Sequence, residues 1–358
     1  MSGEPLILIV GGYGQVGQAV ARFLSPIFPG QVVIAGRSRM KAEAFAATLG
    51  GGAQATGFEL TAGRQHPLLA RARLVIMCVD QDGTELVEHC LAAGIDYIDV
   101  TAKQESLTSF ERLDSLARRS GSTALLSVGV APGLTNLLAA HAARQFDRVG
   151  KMDLFLMLGA GDEHGEAAIG WMLDNLDEEF DVFQDGRLRR VRGFGEHARV
   201  RFPGSSQERR AYRFNFPDQR VVARTLTLPT VSTWMCFDSA LLTSMVGLAS
   251  RLRLSRLLRR PIIRRGAIRS LRAVHLGSED CAILARAEGL IGTRPATREF
   301  ALSGRREAEL TGLVAAEVAR LLLSGHRPGG VLHVEQFVQP GDFLRRLSAV
   351  RPGLQLWL

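Results

Sequence analysis

Gly12-Tyr13-Gly14-Gln15-Val16-Gly17 fits G-x-G-x-x-G and stands between an unbroken apolar run, Leu6-Ile7-Leu8-Ile9-Val10, and apolar positions at Val16, Ala19, Val20, Phe23 and Leu24. An apolar run without alternation is a strand covered on both faces of a parallel sheet. The i, i+3, i+4, i+7, i+8 spacing is one face of a helix, which Pro26 and Pro29 end. Gln31-Val32-Val33-Ile34-Ala35 supplies the next strand, so the chain opens with a βαβ unit.

The rhythm continues. A strand is expected at Arg73–Val79, a helix at Gly83–Ala93 closed by Gly94, a strand at Tyr97–Val100, a helix around Ser106–Ser120 and a strand at Thr123–Val128. Strands alternating with helices of this length give an α/β fold with a doubly wound parallel sheet, a Rossmann domain over residues 1–134. After Pro132-Gly133 the pattern changes. A helix from Thr135 to Phe146 and a strand at Asp153–Leu158 precede strand-like runs at Ala198–Phe202, Ala211–Phe216 and Val221–Leu228. Neighbouring strands without intervening helices indicate a mixed sheet, hence a second, α+β domain over 135–335 that serves substrate binding and dimerisation. A helix near Asp238–Leu254 is expected to cover one face of it. Arg306–Leu323 reads as a helix and Gly329–Val334 as a strand that could return to either domain, and residues 336–358 are expected to return to the Rossmann domain.

The glycine turn has a direct physical reading. Gly12 permits the tight turn, Gly14 lets backbone approach a pyrophosphate, Gly17 lets helix and strand pack closely, and the helix N-terminus offers free N–H groups. NAD enzymes place an acid at the end of the second strand to hold the ribose hydroxyls. Here the strand ends Ala35-Gly36-Arg37-Ser38-Arg39. Gly36 leaves room, Arg37 can grip a 2′-phosphate and Ser38 can donate a further hydrogen bond, so NADP(H) is the expected cofactor.

Ligands of a doubly wound sheet bind outside the carboxyl ends of its strands. Val79-Asp80-Gln81, Val100-Thr101-Ala102-Lys103 and Gly129-Val130-Ala131-Pro132-Gly133 end there. Val79, Thr101, Pro132 and Gly133 are therefore candidate cofactor contacts. Lys103 and Asp80 are the ionisable groups these segments supply, and a cleft lysine can act as acid or base. The plainer readings are a solvated loop lysine and a helix N-cap at Asp80. In the second domain, Gly159-Ala160-Gly161-Asp162-Glu163-His164-Gly165 brings a histidine that titrates near neutrality, so His164 is a further candidate proton donor. Adjacent Asp162, Glu163 and His164 lack metal-site spacing, and no metal is expected. His141 and His333 read as structural.

The blocks Gly11–Gly17, Ile34–Arg37, Cys90-Leu91-Ala92-Ala93-Gly94-Ile95-Asp96-Tyr97-Ile98-Asp99 and Gly129–Asn136 resemble the saccharopine dehydrogenase-like family, which includes saccharopine reductases, lysine dehydrogenases and carboxynorspermidine dehydrogenases. The resemblance covers about the first 140 residues well and the rest loosely. It implies an NADP-dependent oxidoreductase that reduces a C=N bond, or oxidises the amine, of an amino-acid-derived substrate. Enoyl or keto reduction of a carrier-bound or lipid substrate uses related chains, and a non-catalytic NADP(H)-binding regulatory protein could keep the same fold. A small-molecule or carrier-tethered substrate and a homodimer are the expected partners.

Charge is local. The chain has 44 basic and 36 acidic residues, but residues 251–273 hold nine arginines and no acid, leaving the remainder near neutral. With no recognition motif present, this speaks against nucleic acid. An acidic partner or an anionic membrane surface at 251–273 fits such a segment. The plain alternative is an amphipathic helix with Leu252, Leu254, Leu257 and Leu258 packed inward and arginines in water. Cys78, Cys90, Cys236 and Cys281 are widely spaced and read as core residues of a cytoplasmic protein. The opening residues carry no basic stretch and no bilayer-length apolar run, so secretion and membrane spanning are not expected.

Overall fold

A computed structural model describes residues 4–162, 166–253, 257, 260–273, 277–325 and 327–358. It divides into two units, Met1–Gly133 with Ala308–Val338, and Leu134–Glu307 with Gln339–Leu358.

The first unit is built on parallel strands β1 (Leu6–Val10), β2 (Val32–Gly36), β3 (Gln54–Gly57), β4 (Ala72–Met77), β5 (Asp96–Asp99) and β6 (Thr123–Leu126), with Gly330–His333 as a seventh. Their spatial order is Gly330–His333, β6, β5, β4, β1, β2, β3, and every neighbouring pair is parallel. This is the doubly wound arrangement, with its switch point between β1 and β4. All five residues of β1 and of β2 are buried, as continuous apolar runs require. The edge strand β3 was not anticipated: Gln54-Ala55-Thr56-Gly57 is polar, partly exposed and without alternation. The helix expected at Ser106–Ser120 is two helices, Gln104–Glu111 and Asp114–Ser120. The helix after β4 starts at Glu85, behind Thr84.

Of the two domains open to the strand near 330, it joins the first. Gly330–His333 pairs in parallel with β6, and the helix Glu307–Ser324 crosses the glycine-turn helix at Gly312, where a Cβ would stand 2.5 Å from that of Ala19. Residues 339–358 belong instead to the second unit, where Gln355–Trp357 pairs with Arg294–Arg305.

The second unit holds a seven-stranded mixed sheet in the order His197–Val200, Arg209–Arg213, Val231–Phe237, Arg148–Leu158, Asp280–Ile291, Arg294–Arg305, Gln355–Trp357. Only Val231–Phe237 and Arg148–Leu158 run parallel to each other. The long Asp280–Arg305 hairpin, turned at Gly292-Thr293, and the separate hairpin Glu179–Gln184/Arg187–Arg192 were not read from the sequence. The strand expected at Val221–Leu228 is a helix, Asp218–Thr225. Val221 and Val222 are buried while Arg220 and Arg224 lie outward, so helical spacing overrides the β preference of paired valines. The helix expected near Asp238–Leu254 is Ala240–Arg251. Cys90, Cys236 and Cys281 are buried and Cys78 is half-buried.

Candidate cofactor and proton-handling site

At the carboxyl end of β1 the chain turns at Gly11, with φ +80°, and enters the helix Gln15–Leu24 behind Gly14. The glycines here are steric requirements. A Cβ on Gly17 would stand 2.3 Å from the Gly11 carbonyl oxygen, and one on Gly12 would stand 2.8 Å from that of Ile9. Gly14, by contrast, meets only the Gly11 carbonyl oxygen, at 3.2 Å, and no side chain caps the helix behind it. The result is a helix N-terminus whose first N–H groups are left to an anionic ligand.

The next loop follows β2. Tyr13 lies over Gly36, where a Cβ would come within 2.4 Å of its ring, and the Tyr13 hydroxyl accepts the Ser38 N–H at 3.2 Å. Ser38 caps the helix Arg39–Ala46 by accepting the Lys41 N–H at 3.3 Å. The Ser38 hydroxyl keeps its own hydrogen to donate, so the capping role leaves phosphate binding open. Arg39 is paired with Glu43 at 2.7 Å. Arg37 is exposed, and among the described residues no carboxylate pairs with it. Of the two arginines it is the one available to a phosphate.

Across the switch point, the Val79 side chain covers Gly11, lying 2.5 Å from where its Cβ would be. Asp80 follows directly. Its carboxylate meets the Lys103 ammonium at 3.2 Å, and the Thr101 hydroxyl donates to Asp80 at 3.4 Å. The structure thus joins Lys103, Asp80 and Thr101 in one cluster at the ends of β4 and β5. Asp80 is not a helix cap, since Thr84 precedes that helix. Both members of the ion pair are about a third exposed, 34% and 41%, so they meet solvent and solutes.

Beneath them lies a group that sequence reasoning missed. Asp99 is buried and accepts the Thr101 N–H at 2.8 Å, the Tyr97 hydroxyl at 2.8 Å and the Gln81 amide at 3.1 Å. Gln81 also donates to the Tyr97 hydroxyl. Burial pushes the Asp99 carboxyl up to about 6, with the charge of Asp80 adding to the rise and the three hydrogen bonds opposing it. Burial likewise drives the Tyr97 hydroxyl and the Cys78 thiol upward. The available signal was an acid closing the strand Asp96–Asp99, a place where a carboxylate needs partners.

After β6, Ser127 takes a positive φ of 56°, the Ala131–Pro132 bond is cis and Gly133 has φ +142°. The Thr311 hydroxyl accepts the Val130 N–H at 3.3 Å. Ser127 Oγ lies 2.8 Å from His333 Nδ1, whose Nε2 lies 2.9 Å from Glu111 Oε1. That serine, histidine and carboxylate chain has the order of a hydrolase triad. Ser127 is wholly buried, however, and His333 caps the helix Val334–Phe337, so the chain fastens the seventh strand to β6. Pro132 and Gly133 shape the same loop. His164 lies outside the described residues.

Residues 7–125 match the family described as saccharopine dehydrogenase NADP binding domain. The fold is similar to that of apo saccharopine dehydrogenase (L-Glu forming) from Saccharomyces cerevisiae, at 14% identity, with 98% of each chain covered and a TM-score of 0.70. Weaker similarities run to a Clostridium tetani meso-dapdh mutant with DAP (16% identity, 98% of each chain, TM-score 0.46) and to C. glutamicum DAP dehydrogenase in complex with DAP (13%, 94% of each, 0.47). No curated protein sequence matches the chain.

Proposed function

We propose that this chain is an NADP(H)-dependent oxidoreductase that reduces a C=N bond, or oxidises the corresponding amine, of an amino-acid-derived substrate, a reading supported by the match of residues 7–125 to the saccharopine dehydrogenase NADP binding domain family. The Lys103–Asp80 ion pair beside the glycine turn carries the reading.

The residues fit the cofactor. A glycine cradle that side chains would fill and an uncapped helix N-terminus suit a pyrophosphate, and unpaired Arg37 with Ser38 suits a 2′-phosphate. When bound, NADPH supplies the hydride. What remains for the chain is the proton. Lys103 Nζ, held by Asp80 and partly open to solvent, gives it to the reduced nitrogen or takes it back in the reverse direction. Thr101 fixes Asp80, and buried Asp99 fixes the Thr101 backbone, so the position of the ammonium is inherited from the sheet. His164 would be the second proton carrier, and the mixed-sheet unit would select the substrate.

The direct test supplies the purified protein and NADPH with panels of keto acid plus amine, and separately with enoyl thioesters. NADPH consumption in the first panel, with a secondary amine as product, is the expected result. Consumption only with enoyl thioesters would replace C=N by C=C reduction, and consumption in neither would leave a cofactor-binding protein without this reaction.

A further inference from the structure

The helix Ala240–Arg251 is amphipathic the wrong way round for a helix on a globular core. The face it turns inward is small and polar: Thr243, Gly247 and Ser250 are buried. Thr243 bonds the Phe237 N–H at 2.9 Å, Ser250 donates to the Leu176 carbonyl at 3.2 Å, and Gly247 lies so close to Tyr212 that a Cβ would stand 2.7 Å from its ring. The face it turns outward is aliphatic. Leu241, Met245, Leu248 and Leu252 are 72%, 59%, 57% and 60% exposed and recur at i, i+4, i+7 and i+11, one continuous stripe. Leu252 and Leu257 therefore do not pack inward as the plain reading of this segment required. Leu254 and Leu258 lie outside the described residues. Further on, at the start of the helix Pro261–Ala273, Ile262 is 85% exposed.

Charge identifies the occupant. From Ser239 to Ser278 the chain has nine arginines and no acidic residue. Arg251, Arg253, Arg260, Arg265 and Arg269 are exposed and have no carboxylate partner among the described residues; Arg264 is spent on Asp174 at 2.8 Å. A segment that is both aliphatic and cationic matches an anionic bilayer surface, where methyl groups enter the headgroup boundary and guanidinium groups meet phosphates. A second copy of the chain is a poor match, since a two-fold contact through this face sets arginine against arginine. An acidic protein would neutralise the arginines and leave the protruding leucines and isoleucine without a purpose. No helix among the described residues is long and apolar enough to cross a membrane.

We infer that this protein docks on anionic lipid surfaces, with the Leu241, Met245, Leu248 and Leu252 stripe inserted and Arg251, Arg253, Arg260, Arg265 and Arg269 on the headgroups. Flotation of the full chain with phosphatidylcholine vesicles, with and without phosphatidylglycerol, tests it at low and high salt. Two variants go with it, Leu241→Gln/Met245→Gln/Leu248→Gln and Arg260→Glu/Arg265→Glu, both at exposed positions outside the NADP-binding unit. A circular dichroism spectrum and cooperative thermal transition matching the wild type report that each is folded.

The expected result is flotation with phosphatidylglycerol vesicles only, release by salt, and a loss of about ten-fold or more in partitioning for each variant. Absence of flotation at low salt overturns the inference, as does flotation that either variant leaves unchanged. Self-association that the glutamine variant abolishes, with no vesicle binding, assigns the face to a second copy instead. Retention on polyglutamate regardless of the three aliphatic changes, again without vesicle binding, assigns it to an acidic protein.

Discussion

The Tyr13 ring occupies the space that a side chain at Gly36 would need. A Cβ there would stand 2.4 Å from Tyr13 Cε1, and the same tyrosine accepts the Ser38 N–H through its hydroxyl. The first and second loops of the dinucleotide site are thereby one packed object, so strain in one reaches the other.

Gly36→Ala should therefore destabilise the fold by about 1–3 kcal/mol through overpacking. Adding Tyr13→Ala should recover part of that loss, because the clash and its partner vanish together. Urea unfolding of the two single variants and the double variant measures the coupling. Strictly additive losses would show that ring and glycine do not compete for this space.

Arg37→Ala should weaken NADPH binding by about 1.5–3 kcal/mol, the worth of a charge-assisted hydrogen bond, and leave NADH binding nearly unchanged. Arg39→Ala, which removes a guanidinium already paired with Glu43, should do much less. Fluorescence titration of both variants with both cofactors decides the matter; equal losses for NADPH and NADH would remove Arg37 from the 2′-phosphate.

Lys103→Met should lower turnover roughly 10²–10⁴-fold while NADPH affinity holds, the usual share of a general acid or base. Asp80→Asn should lower turnover by a smaller factor and alter its pH profile, since it loosens the ammonium without deleting it. A true substrate is needed for this measurement. Full activity in Lys103→Met would pass the role to His164, and His164→Asn tests that in turn.

Stability should respond to pH through Asp99. Its carboxyl rises from the ordinary 3.8 to about 6 in the folded chain, so the native state keeps a proton that the unfolded chain has already released. That contribution is complete below about 3.8 and is lost as pH climbs through about 6. The loss amounts to about 3 kcal/mol at most, at about 1.4 kcal/mol per pH unit. Asp99→Asn should flatten this part of the curve. Chemical unfolding of both proteins between pH 4 and pH 7 supplies the comparison, and parallel curves would mean that Asp99 does not titrate in this window.

The first βαβ unit was legible because its chemistry is local. A strand buried on both faces must be apolar throughout, a turn at φ +80° must be glycine, and a helix packed on a strand must be striped, all within consecutive residues. Arg37 stood out as a candidate for the same reason, standing where a ribose-binding acid is otherwise found. Long-range partners left no such mark. Asp99 was visible as an acid closing a strand, with Tyr97 and Thr101 two residues to either side of it, but Gln81 reaches it only when β4 and β5 lie side by side. Asp80 read as a helix cap until pairing placed Lys103 opposite it. Val221-Val222 carried a strand preference that burial of one helical face overrode. The leucines of 241–252 showed a period and nothing about direction. Inward or outward is decided by what the rest of the chain leaves room for, and against Tyr212 there is room only for the glycine at 247.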